Sequence, residues 1–158
     1  MKQHSILRIV TKLLIPLILL FALYVQFHGD FGPGGGFQAG VIVAAGLVLY
    51  ALVFDLDTAS EVIKEWVLMI LAPLGVLIYA GVGVASMLLG GNFLDYNVLA
   101  HDPVHGQHLG ILLVELGVGV TVAAALTAIF FAFAGRGRRN PSGTLINQPA
   151  DLAQEPPR

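Results

Sequence analysis

The chain of 158 residues contains no cysteine, and only 11% of its residues are Asp, Glu, Lys or Arg. Without thiols there are no disulfides, no thiol nucleophile and no Cys-ligated zinc or iron–sulfur centre. A soluble domain carries about 25% charged residues, so this chain has too little charge to coat a soluble globule of its length. Its formal net charge of −2 supplies no basic footprint for nucleic acid. No Lys or Arg occurs between Lys12 and Lys64, or between Lys64 and Arg136. There is no internal repeat and no stretch that reads as a separate soluble domain. Together these absences exclude a secreted disulfide scaffold, a disordered chain and an ordinary soluble enzyme.

What remains is apolar. Hydrophobic residues make up 56% of the chain, gathered into four runs at about 6–27, 37–54, 66–89 and 108–134. A bilayer core about 30 Å thick takes about 20 helical residues to cross. In hydrocarbon the backbone must satisfy its own hydrogen bonds, and the runs lack the alternating polarity of a transmembrane barrel. The expected fold is therefore all-α: a polytopic membrane protein with four transmembrane helices in residues 1–134. A cytoplasmic tail, 135–158, is rich in Pro, Asn, Gln and Ser and is expected to be flexible or ordered only against a partner. Lys2, Arg8 and Lys12 before Leu13–Val25 also have the layout of a signal peptide, but Gln26-Phe27-His28 offers no small-x-small cleavage site. The first run is accordingly read as a retained span.

The basic residues orient this arrangement. Lys2, Arg8 and Lys12 open the first run, Lys64 lies between the second and third, and Arg136, Arg138, Arg139 and Arg158 follow the fourth. All eight fall on one side of a four-span protein, which predicts that both termini are cytoplasmic. The link Asp55–Glu65 then lies inside, where Glu61 is expected to open a short surface helix. The stretch Gly90–Gln107 forms the longer outer loop. Pro16 and Pro73 fall inside spans and predict kinks.

Three groups of residues carry candidate chemistry. The first is His28-Gly29-Asp30-Phe31-Gly32-Pro33-Gly34-Gly35-Gly36-Phe37-Gln38-Ala39-Gly40, at the outer junction of the first two spans. Glycine and proline end a helix there and permit positive φ. The segment reads either as a tight turn or as a backbone site whose free N–H and C=O groups meet an ion or a partner chain. It is neither a P-loop nor a dinucleotide fingerprint. The second is Glu115, a lone carboxylate about two turns into the fourth run, expensive in lipid unless protonated or paired. It reads as a proton or cation relay, as a buried partner for a neighbouring subunit, or as a neutral acid. His108 shares its side of the helix, about 10 Å away along the axis, so a water or a residue of another helix is needed to link the two. The third group comprises His101, Asp102, His105 and His108, with His28 and Asp30 on the same outer side. Imidazole and carboxylate can bind divalent metal, but the spacing matches no closed-site pattern and Pro103 is expected to break any helix among them. No metal site is assigned. They read better as interfacial or proton-accessible groups, with Asn92, Asp95, Tyr96 and Asn97 decorating the same interface.

Small residues complete the pattern. Gly36 and Gly40 form a small-xxx-small pair, as do Gly106 and Gly110, and Gly117 extends the second stripe on the side of its helix opposite Glu115. Such stripes let helices approach closely in lipid and imply partner helices within or outside the chain.

The run from His28 to Gly40 closely resembles the signature of the MnhB/MrpB family, small membrane subunits of the Mrp-type multisubunit cation/proton antiporters. The stretch His105-Gly-Gln-His-Leu-Gly-Ile-Leu-Leu-Val-Glu115-Leu-Gly-Val-Gly-Val-Thr-Val resembles that family's last helix. The resemblance covers about Lys2 to Ala134, with Ala39 standing where the family often has glycine. It implies a non-enzymatic subunit of a large hetero-oligomer in the bacterial cytoplasmic membrane. Such a complex exchanges cytoplasmic Na+ for external protons, driven by the proton gradient, so no cofactor is implied. Its partners are the other antiporter subunits, membrane lipid, Na+ and H+. The resemblance also singles out Pro33 and Phe37 within the glycine motif as functional or interface residues. A related alternative is a structural subunit in the sodium-translocating module of a membrane-bound hydrogenase-type complex. From the residues themselves, Glu115, His108, His28 and Asp30 are the candidates for an ion path or proton relay. Pro33, Gly34, Gly35, Gly36, Phe37, Gln38 and Gly40 are the candidates for the motif's interface role, and Gly106, Gly110 and Gly117 for helix packing.

Overall fold

A computed structural model describes residues 5–136. The termini, with Lys2, Arg138, Arg139, Arg158 and nearly all of the expected tail, lie outside the described residues. Four helices are long and apolar enough to cross a membrane: α1 (Ser5–His28), α2 (Gly36–Phe54), α4 (Glu65–Leu88) and α5 (Pro103–Arg136), with a short α3 (Leu56–Val62) between α2 and α4. Among the described residues there is no strand. The expectation of an all-α, four-span protein therefore holds.

Packing does not follow chain order. α1 lies against α2, α2 against α5, and α5 against α4. α5 thus sits centrally, with α2 parallel to it and α1 and α4 running the opposite way. Membrane helices gain nothing from excluding lipid, so association rests on close van der Waals fit and interhelical hydrogen bonds. Both are present here. A methyl group on Gly117 would stand 2.7 Å from the Gly75 carbonyl oxygen, and one on Gly40 would stand 2.6 Å from the Gly119 carbonyl oxygen. The Thr121 hydroxyl donates to the Ala72 carbonyl at 3.1 Å, fastening α5 to α4. At the end that carries α3, Ala51, Ala59, Leu68, Ala124 and Phe131 form a buried cluster that ties α2, α3, α4 and α5 together. At this same end the cations of Arg8 and Lys12 lie over the Phe54 ring, 5.0 and 5.7 Å from its centroid.

Three local features differ from the sequence reading. Pro103 opens α5 instead of breaking it. Proline suits the first helical position, whose N–H has no intrahelical partner, and Asp102 caps the turn by accepting from the Val104 N–H at 3.2 Å. The outer loop is correspondingly shorter, and His105 and His108 are helical. The short inner helix starts at Leu56, so Glu61 lies near its end. The outer loop is folded structure, more than interface decoration. Gly83 receives the Phe93 ring, and Gly106 and Gly110 receive the Tyr96 backbone and ring. Asp95 accepts from the Asn97 side chain at 3.0 Å, and Gln107 donates to Asn97 at 3.0 Å. Burial pushes the Tyr96 phenol above its ordinary value, with Tyr79 adding to the effect.

At 34 residues, α5 is about 51 Å long, more than a bilayer core requires. Its first third rises above the start of α2, with His108 alongside the α1–α2 turn. The Gly75–Gly117 contact predicts that Gly117→Val weakens α4–α5 packing by about 2 kcal/mol through overpacking against backbone. Gly81→Ala, where a methyl group meets nothing within 4 Å, is expected to be neutral. Thermal unfolding of the two variants in detergent checks the contrast; equal midpoints would contradict it.

Candidate functional site

The site begins with the end of α1. Phe31 and Gly32 both donate backbone N–H bonds to the His28 carbonyl at 3.0 Å, and Gly35 donates back to Val25 at 3.1 Å. These bonds fold the glycine motif into a compact turn on top of α1. Gly35 has φ 112°, a conformation that favours glycine. It precedes α2 without any side-chain cap, so the first N–H groups of α2 stand open in the turn.

Glu115 fills that opening. A methyl group on Gly29 would collide with both of its carboxylate oxygens, and one on Gly35 would stand 2.7 Å from Oε1. A methyl group on Gly36 would strike the Glu115 backbone carbonyl. The carboxylate thus rests on bare backbone at the positive end of the α2 dipole, which favours an anion. Although Glu115 lies twelve residues into its own helix, about 18 Å along the axis, it is level with the first turn of α2. The chain is therefore stepped, with Glu115 at the foot of the step.

The other polar candidates sit above it. The Asp30 carboxylate is hydrogen-bonded to His108 Nδ1, joining the turn to α5. Asp30 is also within electrostatic range of Glu115. It is therefore a residue of another segment that lies beside both His108 and Glu115. The Phe31 ring lies on His108, with centroids 6.0 Å apart, and the His28 ring stacks on Tyr24 at 5.3 Å. His105 does not join this group; it pairs with Asp102 at 2.8 Å on the exposed rim. The six outer histidines and acids are thus dispersed. Among the described residues no group of three or more such side chains converges in a way that could hold a metal.

The motif residues divide by direction. Gly35 and Gly36 are buried under Glu115, whereas Phe31, Pro33, Phe37 and Gln38 are exposed. Phe37 shows 63% and Phe31 79% of its surface. Gly34 packs on the Val25 carbonyl, and Gly40 on α5. Gly106, Gly110 and Gly117 line the opposite side of α5, against the outer loop and α4.

The sequence reading passed over Gln26 and Gly119. Gln26 is only 6% exposed, its amide oxygen lies over Gly119, and its amide nitrogen has no hydrogen-bond partner. Gly119 follows Glu115 by one helical turn, so the amide lies about 6 Å below the carboxylate along α5. The available signal was an amide at the end of the apolar stretch that follows Lys12 in the first span.

The sequence matches a family described as "Domain related to MnhB subunit of Na+/H+ antiporter" over residues 6–128. It is 35% identical over 141 residues to a protein of Staphylococcus haemolyticus strain JCSC1435 provisionally named antiporter subunit mnhB2. That match covers 85% of this chain and 98% of the relative. A protein of Staphylococcus aureus strain Newman with the same name is 33% identical over the same shares.

The rim pair yields a pH prediction. The His105 side chain, then the Val104 N–H, hold the Asp102 carboxyl below its ordinary value. A lowered acid stabilises the fold above its unfolded value and loses that contribution as pH falls through the folded one. Amide-exchange protection at the start of α5, near Val104, taken relative to the intrinsic rate at each pH, should therefore fall as pH drops below the ordinary carboxylate range. In Asp102→Ala that protection should already be low at neutral pH. Identical exchange in variant and parent would refute the cap.

Proposed function

Because the chain belongs to the MnhB family of Na+/H+ antiporter subunits, we propose that its glycine turn and Glu115 form an outer segment of the complex's ion route. The observation that carries this reading is the Glu115 carboxylate seated on Gly29 and Gly35, with the Asp30–His108 pair above it. Two carboxylates within electrostatic range attract a positive charge, either a proton or a monovalent cation. His108, exposed at the outer end of this arrangement, serves as the proton-accessible entry. Glu115 is the deeper station. Its open backbone surroundings allow an ion to be traded against the α2 N-terminus without a bulky side chain in the way.

The placement of Lys and Arg supports cytoplasmic termini, a turn facing outward and residence in the bacterial cytoplasmic membrane. Both staphylococcal relatives come from bacteria. The exposed Pro33, Phe37 and Gln38 then face neighbouring subunits, so the motif is two-sided: glycines toward Glu115, larger residues toward the complex. Lipid covers the remaining apolar faces, and transport itself makes no covalent change in the ions carried.

Sodium-dependent proton exchange in vesicles containing the whole complex tests this role. Glu115→Gln keeps the shape and removes the charge. Exchange should fall about tenfold or more, equivalent to a barrier higher by about 1.4 kcal/mol, while assembly on native gels stays intact. Asp30→Asn should give a smaller loss. Phe37→Ala should reduce assembly before it alters exchange in the complexes that form. Full exchange with Glu115→Gln would overturn the proposal.

A further inference from the structure

Two polar side chains cross between α1 and α5 beside the glycine turn, and each lies on a glycine of the opposite helix. The Glu115 carboxylate of α5 lies on Gly29 of α1, and the Gln26 amide of α1 lies on Gly119 of α5. Gly29 follows Gln26 by three residues and Gly119 follows Glu115 by four, so each pair shares one face of its helix. The four residues form a single small frame. The carboxylate occupies the corner at the turn, and the amide the corner one helical turn farther down, about 6 Å along α5.

The two ends have complementary needs. Gln26 borders an apolar groove of about 330 Å³ along the α2–α5 seam, but its amide nitrogen is enclosed by protein and meets no acceptor. An acceptor for it must therefore come from the protein itself. Nearby backbone carbonyls are already engaged: Val25 accepts from Gly35, and Gly36 lies in the first turn of α2, where its carbonyl takes the helical bond of Gly40. The Glu115 carboxylate, by contrast, accepts no hydrogen bond among the described residues, and its electrostatic neighbour is another acid, Asp30. A donor without an acceptor and a carboxylate without a donor are both costly away from water. Glutamine has three side-chain torsions, the last of them broad, so the amide can travel the length of the frame without moving either helix.

We propose that Gln26 is the hydrogen-bond donor of Glu115, its amide moving between the seat on Gly119 and the carboxylate on Gly29. When the carboxylate is ionised the amide rises and donates to it. When Glu115 holds a proton or a cation the amide returns to Gly119. Gln26 is thus a positioning residue. The contact stands on the frame alone, and its consequence for transport rests on the ion-route reading of Glu115.

Dicyclohexylcarbodiimide modifies protonated carboxyl groups in apolar surroundings. Its incorporation at Glu115, measured by mass spectrometry against pH in the intact complex, provides the test. Gln26→Met keeps the length and removes the donor. It should move the labelling midpoint up by about one pH unit, as loss of a bond to a charged group implies. Gly119→Ala acts in the opposite direction. Its methyl group would stand 2.7 Å from the Gln26 amide oxygen and 3.2 Å from the Gly36 carbonyl oxygen, so it drives the flexible amide toward the carboxylate and should move the midpoint down. In the double variant the Gly119→Ala shift should vanish. The other titratable groups at this end are Asp30 in the turn, His28 on α1 and His108 on α5; α2 carries only Tyr50, near its far end. All are unchanged in these variants. A merely structural role for Gln26 would not produce shifts of opposite sign. Equal midpoints in the parent and Gln26→Met would overturn the proposal, as would a Gly119→Ala shift that persists without Gln26. The pH dependence of exchange in vesicles should follow the same shifts. Full exchange with Glu115→Gln would remove the ion-route reading, and the labelling contrast would still decide the contact.

Discussion

Backbone contact between helices is the constraint on which this structure rests. Gly36 meets the Glu115 carbonyl, Gly40 the Gly119 carbonyl, and Gly117 the Gly75 carbonyl. With no hydrophobic force to press helices together in lipid, this closeness replaces a core of large side chains. Among the described residues the largest fully buried side chains are accordingly only Thr11, Thr127 and Ser86, and most bulky apolar residues point outward, with Phe54, Leu68 and Phe131 the main exceptions. Thr127 and Ser86 return their hydroxyls to carbonyls one turn earlier in their own helices, which lets polar residues occupy the interior without partners from elsewhere.

The same contact fixes the surroundings of Glu115. A carboxylate in a span ordinarily needs a cation or a proton. Here α2 begins beside it, so the field of a helix N-terminus and exposed peptide groups take part of that role. Only glycines allow the approach: at Gly29 and Gly35 a side chain would occupy the place of the carboxylate, and at Gly36 it would push the two helices apart. The glycine motif is therefore a turn whose backbone also receives the Glu115 side chain of the same protein.

Hydropathy and charge placement made the span count legible, because both follow from transfer of single residues into lipid. The Gly117 stripe was legible too, since helical periodicity alone puts it opposite Glu115. Contacts between distant segments were not. Asp30 and His108 are 78 residues apart, and no local pattern predicts their pairing. The neighbour order α1, α2, α5, α4 is likewise set by which glycine surfaces fit each other. Pro103 misled because proline is a breaker inside a helix and a good first residue at its start; Asp102 decides between these roles. The depth of Glu115 could not be read from its own helix, since depth depends on where α2 begins.

The stepped outline sets a limit on what this chain can carry by itself. Polar groups descend from His108 and Asp30 to Glu115 and then to Gln26, where the lining turns to Leu, Val and Ala. An apolar cavity of this size stays dry, so an ion leaving Glu115 finds no hydrated path along the α2–α5 seam. A proton or cation that enters by the proposed route must leave sideways, toward another subunit. That direction is consistent with the exposed Phe37 and Pro33 at the turn, and with a family whose members work as parts of a larger assembly. On the proposed route the chain supplies an entrance, and closing the seam beneath it is what would keep that entrance from becoming a leak.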